Sequence, residues 1–332
     1  MKLKLSSAIG ALTLSGLLFT SSLSADPAQS ELATSLDLES LLDVDLTGFG
    51  AIPDVPNVPL RIPAVMRTIG KLDWHVDYTA AYREAREDRK MLFVFFRDDA
   101  RPRIADFYET DVLANAELVE SLKSVVRVVV PLTAARPTQT PDEAERTLLS
   151  HDSFKYLYGR QGIAMIDLTD PASELHGQVV SAHPFTPGLH YTVRGTRLVL
   201  GLPRGSVTQR ALIYAVRLHP AAPVSTTDGK CHGYLCKAAR DSSQLMANYG
   251  SVGHHDWGTR QGDIAVQTGR SAMEVAAMSG NQSLIGAAIE LVDQWYGSPA
   301  HWGIMSAPAA IFGYDIVRDA SGNWWGTGLF AN

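Results

Sequence analysis

Sulfur is scarce in this chain: Cys231 and Cys236 are the two cysteines among 332 residues. A disulfide framework is therefore excluded, and a bridge between the two would close only a small loop of modest stabilising power. A zinc ribbon is excluded as well, because the spacing is wrong and two further ligands would be needed. A local bridge or a pair of buried thiols stays open. Long apolar runs are also missing, since no stretch reaches the roughly 20 residues that a membrane-crossing helix needs. No cluster of lysine or arginine offsets the acidic balance of 29 basic against 35 acidic residues, a formal charge of −6. This argues against nucleic acid as a partner, which demands several grouped cations. What remains is ordinary globular material, 45% apolar and 19% charged with no internal repeat. It is long enough for two domains at about 150 residues each.

The N-terminus reads as an export signal over residues 1–25. Lys2 and Lys4 precede an apolar run from Ala8 to Phe19, and Ser22-Leu23-Ser24-Ala25 supplies small residues before Asp26. That layout is a secretory signal peptide. Cleavage leaves 27 basic residues against 35 acidic ones, or −8, and no cysteine stands at the junction to take a lipid. The expected location is secreted or periplasmic, an oxidising setting that favours a bridge over free thiols. Residues 26–70 follow as a tether, acidic from Glu31 to Asp45 and then proline-rich through Pro53, Pro56, Pro59 and Pro63.

From Lys71 the patterns become regular. Helical periodicity covers Tyr78 to Arg89, Ile104 to Lys123, Glu143 to Tyr158 and Val207 to Leu218. Buried-strand runs cover Met91 to Phe96, Val125 to Pro131, Ile163 to Leu168 and Gln178 to Ala182. Continuous apolar strands alternating with helices predict an α/β fold whose sheet is covered on both faces. His219-Pro220-Ala221-Ala222-Pro223 interrupts the pattern, which puts a domain boundary between 71–222 and 223–332. In the second part, Leu235, Ala239, Ser242, Met246 and Tyr249 share one helical face. Leu284, Ile285, Ala288, Val292 and Trp295 share another. Ala310 to Arg318 and Asn323 to Ala331 form a hairpin around Asp319-Ala320-Ser321-Gly322. Trp295, Trp302, Trp324 and Trp325 are expected to pack core and hairpin rather than to form a binding platform.

The order of elements between Met91 and Leu218 is that of the thioredoxin fold. Trp74-His75-Val76-Asp77-Tyr78, followed by Lys90-Met91-Leu92-Phe93-Val94-Phe95-Phe96, resembles secreted members of the thioredoxin-like family. The resemblance covers about Lys71 to Pro220 and implies a three-layer α/β domain. Family members place a W-C-x-x-C loop after this strand, at a helix N-terminus that favours thiolate. Here the loop is Arg97-Asp98-Asp99-Ala100-Arg101-Pro102-Arg103-Ile104, with no sulfur in any register. This domain is therefore not a thiol-disulfide oxidoreductase. Its charges read as a solvated, locally paired loop, or as an anion-binding spot built from converging arginines.

The last third carries the better chemical signal. Gly253-His254-His255-Asp256-Trp257-Gly258-Thr259-Arg260 comes first, then Gly269 to Glu274, then Trp295-Tyr296-Gly297-Ser298-Pro299-Ala300-His301-Trp302. Together these resemble the SCP-like superfamily of cysteine-rich secretory, antigen 5 and pathogenesis-related proteins, with Ser298-Pro299-Ala300-His301 the most specific match. Val275 stands where the family has Asn, there is no clear second Glu, and the region is short for the family. The resemblance implies a small α-β-α sandwich in which His254, Glu274 and His301 converge on a shallow cleft, a site that holds a divalent metal in some relatives. His255 is the alternative to His254 if the register slips by one.

Two imidazoles and a carboxylate suit Zn²⁺ or another divalent cation with an open position. The same three residues also suit partly buried, hydrogen-bonded histidines closing helix ends, with Glu274 orienting them. Three function classes follow. The first is an exported, redox-inactive binding or structural component of the envelope or extracellular space, whose partner is a protein or a small ligand and whose enzymatic role is unsupported. The second is a metal-dependent, peptidase-like hydrolase in which His254 and His301 ligate and Glu274 ligates or acts as general base. The third, a redox chaperone using Cys231 and Cys236, ranks last because their spacing supplies no thiolate-stabilising geometry.

Overall fold

The computed structural model describes residues 65–136, 146–186, 192–221 and 227–332. The export signal, most of the tether, the start of the helix expected from Glu143 and the Ala222–Pro223 point of the boundary lie outside them. The described residues belong to one compact unit of mixed α/β structure with two mixed sheets.

The first sheet begins earlier than the regular sequence pattern. Strands β1 (Met66–Ile69) and β2 (Leu72–His75) pair antiparallel around the left-handed Gly70. They are followed by β3 (Leu92–Arg97), β4 (Val126–Pro131), β5 (Gly162–Ile166) and β6 (Val179–Pro184), in the order β1-β2-β4-β3-β5-β6. β4 runs parallel to β2 and β3, whereas β5 runs antiparallel to β3 and β6. Because side chains alternate along a strand, Phe93, Phe95, Val129, Ile163 and Met165 point to one face, and Leu92, Val94, Phe96, Val128 and Ala164 to the other. Both faces are covered, as continuous apolar strands require. Helix α1 (Tyr78–Glu87), capped by the Asp77 carboxylate, packs Tyr78, Ala81, Tyr82 and Ala85 on the second face.

The amphipathic stretch expected as one helix over Ile104 to Lys123 is three pieces. Helix α2 (Pro102–Phe107) runs into a π-helical segment Tyr108–Leu113, and Asn115 then leaves helical geometry to cap helix α3 (Ala116–Lys123). Asparagine favours that cap position, and its side chain accepts from the Glu117 N–H. The wider π turn rotates the following side chains, so Tyr108 reaches the Thr196 hydroxyl and Glu109 turns to Arg67 and Arg97. The helix expected up to Tyr158 is likewise two 3₁₀ segments, Leu148–Ser150 and Asp152–Leu157, ended by Tyr158 in left-handed backbone. Extended His151 separates them, and its ring accepts from the Ser153 N–H. Buried Leu148, Leu149, Phe154 and Leu157 produce the apolar spacing that reads as one helix.

Helices α4 (Val193–Leu200) and α5 (Val207–Leu218) complete this half. Ser206 and Gln209 form a reciprocal capping box at the start of α5. The second sheet contains β7 (Lys230–Cys231), β8 (Ala272–Ser279), β9 (Ile311–Arg318) and β10 (Trp324–Ala331) in the order β7-β9-β10-β8. β9 and β10 are the expected hairpin, turning through Gly322 at positive φ. Helices α6 (Gly233–Tyr249) and α7 (Trp257–Thr268) lie on one face. Helix α8 (Leu284–Tyr296) lies on the other, followed by α9 (Pro299–Ser306). One apolar core runs from Phe93 and Phe95 through α5 to α8, Phe312 and Trp324. Tyr158 adds a polar tie, its hydroxyl accepting from the Leu284 N–H at 2.8 Å.

Candidate functional site

The alternation of β8 places the Glu274 side chain. Val275 and Ala277 pack with α8, so Ala272, Glu274 and Ala276 point to the face covered by α6 and α7. A lone carboxylate on an otherwise apolar strand face needs charged and polar partners. It finds three. Arg260, on the first turn of α7, directs Nη1 to Oε2 and Nη2 to Oε1, the latter at 2.9 Å. Ser242, the one polar residue on the α6 stripe read from the sequence, donates to Oε2 at 3.1 Å. His254, in the turn between α6 and α7, makes a 2.9 Å bond from Nδ1 to Oε1. The Glu274 side chain is 1% exposed and that of His254 is 45% exposed.

A carboxylate only accepts, so the bond comes from the Nδ1–H of His254, and Nε2 is the ring nitrogen not engaged by Glu274. Arg260 is itself fixed from two sides. Its Nε donates to the His255 carbonyl at 2.8 Å, and its guanidinium lies over the Trp257 indole at 5.1 Å. The turn that presents His254 ends at Asp256 in left-handed backbone, directly before α7.

His301 arrives from the other face of the sheet edge, on the first turn of α9 after Pro299. Its ring centroid stands 6.3 Å from that of His254. Burial lowers its pKa below the ordinary histidine value, and the charge of His254 lowers it further. His255 takes no part: its Nε2–H donates to the Ser251 carbonyl at 3.0 Å and its ring lies against Tyr249. Of the two adjacent histidines, His254 is the one that contacts Glu274.

Of the three expected residues, His254 contacts Glu274 and His301 stands beside His254, an arrangement that differs from a three-ligand metal site. Both Glu274 oxygens are engaged, and Arg260 already supplies the positive charge that a metal would bring. Among the described residues, no group of three or more His, Cys, Asp or Glu side chains is placed to hold a metal ion. The sequence reading missed Ser242 and Arg260 as site residues. Their signals were a serine inside an apolar helical stripe and an arginine one turn into the helix that follows His254.

The other candidate positions are also accounted for. Trp295, Trp324 and Trp325 are buried in the core and hairpin, and Trp302 stacks edge-on against Tyr296 beside His219. In the loop after β3, Arg97 is surrounded by Asp99, Asp106 and Glu109, while Asp98 caps the turn and pairs with Arg101 at 2.9 Å. Local carboxylates take up these arginines, which leaves the anion-binding reading without a free Arg97 or Arg101. Cys231 and Cys236 lie together, their sulfurs 3.5 Å apart. Among the described residues no helix is long and apolar enough to cross a membrane. No family model matches the chain, and no curated protein or solved structure matches it either.

Proposed function

We propose that the protein is an exported, redox-inactive binding component, a thioredoxin-like domain without its cysteines joined to a short SCP-like domain that holds a divalent cation between His254 and His301. Support for the first module comes from strand order. The sheet is ordered β2-β4-β3-β5-β6, with β2, β4 and β3 parallel and β5 antiparallel to both β3 and β6, an order that suits a thioredoxin-like domain. Its loop Asp98–Arg101 and helix α2 stand where the family's cysteines would. Support for the second comes from the α6 and α8 layers around a four-stranded sheet and from the meeting of His254, Glu274 and His301.

One observation carries the binding reading: Glu274, neutralised by Arg260, accepts a hydrogen bond from the Nδ1–H of His254. This is the carboxylate–histidine relay that orients metal-ligating imidazoles and raises their basicity. Glu274 serves as the orienting partner, and the ligands are the two imidazoles. Rings sharing one zinc at about 2.0–2.1 Å have centroids roughly 5–6 Å apart, close to the 6.3 Å found. The remaining coordination positions are left to solvent or to a small ligand. The hydrolase alternative asks Glu274 to ligate metal or accept a proton, and a carboxylate with four incoming bonds supports neither.

Calorimetric titration of the metal-free protein with Zn²⁺ tests this. One saturable site is expected, lost in His254→Ala and in His301→Ala, and weakened about 10–100-fold in Glu274→Gln. The absence of saturable binding to the unmodified protein would leave the histidines a structural role and overturn the proposal.

A further inference from the structure

Cys231 and Cys236 occupy a junction of three elements. Cys231 ends β7, which is held to β9 by two backbone bonds, from Lys230 N–H to the Ala310 carbonyl and from His232 N–H to the Phe312 carbonyl. Cys236 lies one turn into α6, its N–H bonded to the His232 carbonyl at 3.0 Å. Helix and strand are pressed close here, because Gly313 of β9 leaves no room for a side chain against Leu235 and Cys236. The turn between them brings the sulfurs to 3.5 Å as free thiols. A disulfide brings two sulfurs to roughly 2.0 Å, so closure asks the pair to approach from 3.5 Å.

The two sulfurs are not equivalent. Cys231 is half-buried and Cys236 buried. The hydrogen bond from Cys236 and the Arg217 guanidinium of α5 draw the Cys231 thiol below its ordinary pKa, while the same bond and burial push that of Cys236 up. Thiolate is the nucleophile in exchange.

We infer that Cys231 and Cys236 are a modification site for disulfide-bearing oxidants, with Cys231 the attacking sulfur and Cys236 the resolving one. The Cys231 thiolate forms a bond to one sulfur of the oxidant and expels the other as a thiolate. Cys236 then gives up its proton, bonds to Cys231 and expels the second half of the oxidant. The protein loses two thiol hydrogens, and the oxidant is reduced to two thiols. The product is a clasp between β7 and the first turns of α6. It forms once per chain and is not a turnover activity.

The test incubates the full chain with oxidised glutathione, then alkylates and measures intact mass. The unmodified protein is expected to lose two hydrogens, carry no glutathione and resist alkylation. Cys236→Ser should hold one glutathione on Cys231, and Cys231→Ser at least about tenfold less on Cys236. Two alkylated thiols in the unmodified protein, or equal adducts on both variants, would overturn the assignment. Should either variant fail to fold, brief alkylation of the reduced unmodified protein decides the order. Cys231 labelled first supports the assignment, and Cys236 labelled first or at the same rate defeats it.

Discussion

The Arg260 guanidinium meets the Glu274 carboxylate side-on, two nitrogens to two oxygens, in a pocket where the Glu274 side chain is 1% exposed and the Arg260 side chain 13%. Such a pair fixes direction as well as charge. Removing one member leaves a buried charge unpaired, a loss of about 3–5 kcal/mol. Arg260→Ala is therefore expected to cost about that much in urea unfolding. Glu274→Gln with Arg260→Met together should cost less than the sum of the single changes, because neither strands its partner.

Asp315 of β9 is buried beside α5, and burial raises its carboxyl pKa above the ordinary value. Bonds from Thr208, the Ile316 N–H and Gln209, together with the charge of Arg240, oppose the shift without cancelling it. In the unfolded chain the same carboxyl ionises near about pH 3.9. The unfolded state then releases its proton first as pH rises. Stability is lost from the unfolded pKa up through the raised folded pKa and is level above it. Asp315→Asn removes that loss. The variant should melt higher than the unmodified protein at pH 7, with the difference shrinking towards about pH 3. A difference in melting temperature that does not change with pH would contradict the assignment.

Arg210 is fully buried in α5, and its hydrogen bonds among the described residues go to carbonyls and a hydroxyl, not to a carboxylate. It donates to the Val199, Leu202 and Pro203 carbonyls and to the Ser181 hydroxyl. Burial lowers its pKa to about 10, so it stays charged at neutral pH. Arg210→Met leaves these acceptors without a donor, at about 1–3 kcal/mol for each one stranded. Arg210→Lys should recover little, since a compact ammonium cannot span acceptors arranged for a planar fork. Both variants can be compared by equilibrium urea denaturation.

Gly313 faces the backbone of α6, where a methyl group would run into Leu235 and the Cys236 nitrogen. Gly313→Ala must push the helix off the sheet, and overpacking of this kind costs about 1–3 kcal/mol. Because the same helix carries Ser242 and Cys236, the substitution should also lower Zn²⁺ affinity and slow closure of the cysteine pair. A drop in stability with both properties unchanged would mean that α6 moves without disturbing either site.

Strands β3, β4, β5 and β6 were legible because burial on both faces writes an unbroken apolar run, as in Leu92 to Phe96 and Ile163 to Ile166, whereas β7 and β8 were not read as strands. Helix α5 was legible from end to end, since its apolar spacing runs from Val207 to Leu218 directly before His219-Pro220. The stretch from Ile104 to Lys123 was not, because apolar spacing survives a π turn and a re-capped helix while the backbone does not. Helix α4 and the short strands β1 and β2 carried too few periodic residues to stand out. His254, Glu274 and His301 were singled out through motif spacing. The choice between His254 and His255 needed the direction of two adjacent side chains, which no spacing encodes.

By itself, the sequence determined the α/β class, the absence of sulfur from the loop after β3, and the hairpin that closes the second sheet. Each follows from local chemistry: alternation of apolar residues, the identity of eight loop residues, a glycine in a turn. Tertiary structure decided the rest. Glu274 meets Arg260, Ser242 and His254 because β8 turns it towards α6 and α7, and Cys231 meets Cys236 because β7 and α6 are both pinned against β9. These are distances between elements, set by how the core packs, and residues five or fourteen positions apart acquire them only when the chain has folded.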